Sequence, residues 1–294
     1  MAAPMDAPPI TLHRPAQQLA GLVLTSPHSG RVYPEAFLQA SRLTPEAIRG
    51  SEDSFVEELF AAGPALGVPL LAAEFPRAWC DVNREPWELD PNMFADRLPD
   101  YVNIASPRVA CGLGTLARIV GTGEPIYARK LFFEEARARI ESCWRPFHEA
   151  LAGLIEENLE RFGYCLVLDC HSMPTPFSRL SPRPDIILGD AHGASCRPAW
   201  SNFIEGQFLR QGFSVRRNDP YAGGFITRHY GRPHEAVQVM QIELARGLYM
   251  NERQYTRKPG FEAVQARLSA ILAEVIQTLR QGGLPGPDFK QAAE

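Results

Sequence analysis

The chain has 294 residues, a formal net charge of −4 at pH 7, 45% hydrophobic and 22% charged residues, which are values of a globular protein able to bury a sizeable core. Both signs of charge are scattered without a basic block, so no nucleic-acid partner is expected, and no window approaches the ~18 consecutive apolar residues of a membrane span. The opening MAAPMDAPPITLHRPAQQ lacks a basic stretch followed by an apolar one, and none of the six cysteines forms a C-x-x-C pair; the expectation is a reduced, soluble, cytoplasmic protein without a thiolate zinc site.

In chain order, residues 1–18 read as a flexible N-terminal tail. Apolar runs that read as buried strands follow at 22–27, 68–75, 164–169, 185–188 and 236–243. Between them lie helical patterns: 52–62, which opens on acids as a helix start prefers; 127–162, with a break expected where Arg145 meets Pro146; and 197–211. Residues 260–281 follow, where Phe261, Val264, Leu268, Ile271, Leu272, Val275, Ile276 and Leu279 share one face. Alternation of this kind predicts an α/β fold: one domain over 19–281, with a mixed, mostly parallel sheet covered by helices on both faces. Segment 84–125 is rich in Pro, Gly, Asn and Asp and reads as a long active-site loop. Residues 282–294 read as a frayed tail.

Two histidines stand where apolar runs give out. His28 sits in Ser26-Pro27-His28-Ser29-Gly30, and His171 in Asp169-Cys170-His171-Ser172-Met173-Pro174. Ligands collect at the carboxyl ends of strands in open α/β sheets, and a hydrolytic zinc site needs three protein ligands with one position left for water. Asp53 is the expected third ligand, with Glu52 in reserve; a helix-start acid is the plainer account of either. Asp169 reads as a carboxylate that orients a ligand histidine. His192, among glycines after Ile186-Ile187-Leu188, competes with His171 on spacing alone.

The stretch Arg77-Ala78-Trp79-Cys80-Asp81-Val82-Asn83-Arg84 offers an anion clamp in Asn83 and Arg84, with Arg77 beside it, or else arginine pairs with Asp81 that hold a loop. Gly223-Gly224, after Pro220-Tyr221, lets backbone N–H groups approach a ligand, although a plain turn accounts for it equally. In Gln241-Ile242-Glu243-Leu244-Ala245-Arg246 the strand period puts Gln241 and Glu243 on one face. Glu243 near a metal would serve as general base; the alternative is an ion pair with Arg246 or another arginine.

Together, PHSG (27–30), the Asp53 segment, R-x-x-x-D-x-N-R (77–84), D-x-H-S-M (169–173), N-x-P-Y-x-G-G (218–224) and Q-I-E-x-x-R-x-L-Y-M (241–250) resemble the N-formylglutamate amidohydrolase family, from about residue 20 to 255. The family looks like a distant cousin of zinc carboxypeptidases and aspartoacylases. That resemblance implies a carboxypeptidase-like fold and a single zinc on His28, Asp53 and His171. It also implies Glu243 as base for a metal-activated water, Arg77 beside the oxyanion, and Asn83, Arg84, Arg246, Gly223 and Gly224 around a small anionic substrate. The implied reaction is hydrolysis of N-formyl-L-glutamate to formate and glutamate in histidine degradation. A zinc deacylase of another N-acyl amino acid, such as an aspartoacylase or succinylglutamate desuccinylase, would use the same machinery, and a non-catalytic metal or amino-acid binder is the reading from another class. Self-association is left open.

Overall fold

In the computed structural model, which describes residues 7–175 and 184–282, the apolar runs become strands of a seven-stranded sheet. The strands are β1 (Ile10–His13), β2 (Leu22–Ser26), β3 (Leu70–Ala73), β4 (Cys165–Met173), β5 (Ile186–Gly189), β6 (Val215–Arg217) and β7 (Val237–Ala245). Their order across the sheet is β1-β3-β2-β4-β7-β5-β6. Neighbours β2 and β4, β4 and β7, and β5 and β6 run parallel, while β5 runs antiparallel to β7. The expected mixed, mostly parallel sheet is therefore present. Every residue of β2, β4 and β7 is buried, as parallel strands covered on both sides require.

Four differences from the sequence reading stand out. Strand β4 continues four residues past Asp169, so His171 lies inside a paired strand rather than beyond its end. Alternation explains this: Asp169 and His171 leave the core-facing positions to Leu168 and Cys170. Residues 10–13, within the stretch read as a tail, form β1, and β6 was not anticipated; each is short and carries too little alternation to be read. Glu52 and Asp53 do not open a helix. A 3-10 turn over Ala47–Ser51 ends at Glu52, and the helix Val56–Leu59 begins only after Phe55, which sits at φ 69°. The tail at 283–294 lies outside the described residues.

The described residues pack into two compact units, one drawn from 7–11, 27–54 and 72–151, the other from 12–26, 55–71, 152–175 and 184–282. In the second unit, Leu22, Leu24, Leu166, Leu168, Cys170, Met240, Ile242 and Leu244 form one apolar sheet face. Against that cluster pack Trp200, Ile204 and Phe208 of the helix Pro198–Arg210 and all eight stripe residues of the helix Phe261–Arg280. In the first unit, segment 84–125 holds no strand. It closes around its own small core of Leu89, Met93, Phe94, Val102 and Leu116, joined by Leu131, Ala136 and Ile140.

The helical stretch expected over 127–162 starts at Phe133 and is continuous except for a π turn, Ile140–Trp144. Pro146 has no N–H to donate, and Arg145 donates its own five residues back, to Ile140. The widened turn takes up the proline without breaking the helix.

Leu272 is 1% exposed within the main core. Leu272→Ala is expected to lower the unfolding free energy by about 2–5 kcal/mol in urea titration, while Glu262→Ala on the exposed side of the same helix changes it little.

Candidate active site

After β2 the chain turns through Pro27-His28-Ser29-Gly30. A Cβ at Gly30 would lie 2.2 Å from the Phe75 carbonyl oxygen and 2.5 Å from the Glu74 carbonyl carbon, so the turn passes only with a residue that has none. The Asp53 N–H donates to the His28 carbonyl at 3.0 Å, tethering the extended 52–53 link to the His28 turn. The imidazole of His28 is 1% exposed, with Nδ1 3.4 Å from Asp53 Oδ2 and Nε2 2.8 Å from Asp81 Oδ1.

Asp81 is the hub of its loop. It also accepts the Asn83 N–H at 2.8 Å and Arg77 Nε at 2.8 Å, with Arg84 Nη2 at 3.6 Å. Burial pulls this carboxyl toward its neutral form, but the charges of Arg77, Arg84 and His28 and the histidine hydrogen bond outweigh it. Asp81 is held well below the usual carboxylate range. An anionic Asp81 draws the ring proton of His28 to Nε2 and leaves the Nδ1 lone pair toward Asp53. Arg84 is buried too, donating Nε to the Leu113 carbonyl and Nη1 to the Asn83 carbonyl, each at 2.8 Å. Burial brings its pKa down to about 10 against the pull of Asp81.

The choice between the two acids follows from their hydrogen bonds. Glu52 accepts from Tyr33 Oη at 2.6 Å, from Arg49 Nε at 2.9 Å and Nη2 at 3.0 Å, and from Ser54 Oγ at 2.7 Å. Its carboxylate is thereby engaged in a structural cluster, and Asp53 is the acid beside His28.

On β4, His171 pairs in register with Glu243 of β7. His171 Nε2 lies 2.9 Å from Asp169 Oδ2, close but off the line of a hydrogen bond, and Asp169 Oδ1 accepts from Thr25 Oγ1 at 2.7 Å. Each histidine thus has a buried carboxylate at Nε2. His28 and Asp53 of the first unit and His171 of the second are all buried. Two imidazoles and one carboxylate, each histidine backed by a second carboxylate, make a donor set suited to a divalent ion.

Glu243, 7% exposed, accepts from Gln241 Nε2 at 2.8 Å, as residues two apart on one strand face can. Gln241 Oε1 in turn accepts the Gly224 N–H at 2.9 Å. Gly223 takes φ 117°, and Gly224 precedes the helix Phe225–Tyr230. Arg246 is buried and donates Nε to Ser172 Oγ at 3.0 Å. His192 is exposed, in a left-handed conformation at φ 57°, unlike the buried His28 and His171. Sequence reasoning took Asp81 only as an arginine partner and assigned nothing to Gln241 or Thr25. The signal for Asp81 was its place between two arginines and two residues before Asn83.

The family model of N-formylglutamate amidohydrolase matches residues 20–250. The N-formylglutamate deformylase of Pseudomonas putida is 29% identical over 267 residues, covering 86% of this chain and 92% of that one. The enzyme of the same name from Pseudomonas aeruginosa is 29% identical over 246 residues, 79% of this chain and 83% of that one. Among solved structures, the N-formylglutamate amidohydrolase of Ralstonia eutropha JMP134 superposes with a TM-score of 0.89 at 35% identity, covering 94% of this chain and 100% of that one. The chain belongs to the N-formylglutamate amidohydrolase family.

Proposed function

We propose that this chain hydrolyses N-formyl-L-glutamate to formate and L-glutamate, as a cytoplasmic enzyme of histidine degradation. The observation that carries the reading is the match of the family model over residues 20–250, in a chain whose His28, Asp53, His171 and Glu243 are all buried. His28, Asp53 and His171 would hold one divalent ion, zinc on this reading. When bound, such an ion supplies Lewis acidity, making a water more acidic and drawing electron density from the formyl oxygen.

The chain's own groups do the rest. Glu243 takes a proton from the attacking water while the oxygen bonds to the formyl carbon. It then passes that proton to the amide nitrogen as the C–N bond breaks, and returns to its carboxylate form. Arg77, part-exposed beside Asp81, lies within the charge cluster that would face the developing negative charge on the formyl oxygen. A dianionic substrate calls for cations: Arg84 and Arg246 would meet its two carboxylates, with Asn83 and the Gly223 N–H as neutral donors; the Gly224 N–H, expected to join them, is taken up by Gln241 Oε1. Asp81, hydrogen-bonded to Nε2, keeps His28 in the tautomer that leaves a lone pair for the ion, and Asp169 stands beside Nε2 of His171.

Formate release from N-formyl-L-glutamate by the zinc-loaded protein tests the reaction. Glu243→Ala is expected to lower kcat by about 10²- to 10⁴-fold with zinc content unchanged; retention of kcat removes Glu243 from the role of base. His28→Ala and His171→Ala are each expected to lose stoichiometric zinc by elemental analysis. Asp81→Asn is expected to keep the fold by circular dichroism but weaken zinc binding by roughly 10- to 100-fold in competition with a chelator.

A further inference from the structure

Gln241 has no part in the reaction as described so far, yet its amide bonds directly to Glu243. It is 4% exposed, and both ends of its amide are engaged. A backbone N–H can only donate, so the atom facing Gly224 at 2.9 Å is the amide oxygen. The amide NH2 is thereby turned to Glu243 Oε1, at 2.8 Å. Only one orientation of the amide satisfies both neighbours, and in it Glu243 is the acceptor, as a carboxylate is.

The contact with Gly224 exists because of a third residue. Gly189 of β5 is the register partner of Gln241. A Cβ at Gly189 would lie 2.8 Å from the Ala222 carbonyl carbon, 2.8 Å from the Gly223 nitrogen and 3.0 Å from the Tyr221 oxygen. The 221–224 backbone therefore presses against β5 where no side chain stands, and the Ala191 N–H fixes it there by donating to the Ala222 carbonyl at 2.7 Å. That close approach brings the Gly224 N–H within reach of β7.

We infer that Gln241 is a positioning residue that aims the Glu243 carboxylate, and that Gly189 sets it by letting the 221–224 backbone close onto the sheet. The inference rests on the proposed role of Glu243 and adds a coupling: the loop that carries Gly223 and Gly224 and the base move together through one amide.

Three variants, Gln241→Met, Gln241→Glu and Gly189→Ala, test this in the zinc-loaded protein, by steady-state formate release and by amide hydrogen exchange at residue 224. Gln241→Met and Gly189→Ala are expected to lower kcat roughly 10- to 100-fold with KM within about threefold of the parent, and to speed exchange at 224. Gln241→Glu keeps an acceptor for Gly224 but loses the donor to Glu243, so protection at 224 stays while kcat falls. The Gln241→Met, Gly189→Ala double variant should be no slower than the slower single one, since both cut the same chain. Unchanged kcat in Gln241→Met, multiplied losses in the double variant, or unchanged exchange at 224 in both Gln241→Met and Gly189→Ala would overturn the inference. Should the parent protein release no formate, the proposed reaction fails by itself; the exchange rates then decide alone whether the Gly189–Gly224–Gln241 contact exists.

Discussion

A histidine with 1% of its surface exposed needs a partner for its ring N–H, and His28 finds one in the Asp81 carboxylate. Asp81 takes one nitrogen and Asp53 faces the other. Burying Asp81 as an anion is costly in turn, and Arg77, Arg84 and the Asn83 N–H offset that cost. Much of the conformation of the 77–84 loop follows from this one requirement. So does the burial of Arg84, whose Nε and Nη1 donate to the carbonyls of Leu113 and Asn83.

The sheet applies the same logic in a different idiom. Thr25, Asp169, Gln241 and Gly189 form one row across β2, β4, β7 and β5, and His171 pairs with Glu243 in the next functional row. Side chains alternate along each strand, so this polar face costs the core nothing: Leu24, Leu168, Cys170 and Ile242 point the other way, into the cluster with the Phe261–Arg280 helix. The apolar face and its helix give the rigidity that a catalytic constellation needs, with His171 and Glu243 on paired strands rather than on loops.

Legibility in the sequence followed signal strength. The eight-residue stripe of the last helix was fully readable, because a long 3.6-residue period leaves few alternatives. His28, Asp53 and His171 were readable as candidates, since histidines beside small residues and prolines at the ends of apolar runs are rare patterns. The length of β4 and β7 was not, because a polar face looks like a loop until the partner strand is known. Glu52 and Asp53 illustrate another limit: two adjacent acids are equivalent on paper, and only the hydrogen bonds of Tyr33, Arg49 and Ser54 to Glu52 separate them. Asp81 showed in the sequence only as an acid between two arginines, and Gln241, which touches Glu243 through its amide, left no signal of its own.

The most direct test of the account is a zinc titration of chelator-stripped protein, with formate release from N-formyl-L-glutamate followed against zinc bound per chain. The account predicts release that rises in proportion to occupancy and levels off at one ion per chain. Undiminished release by the stripped protein, or no release at full occupancy, would contradict it.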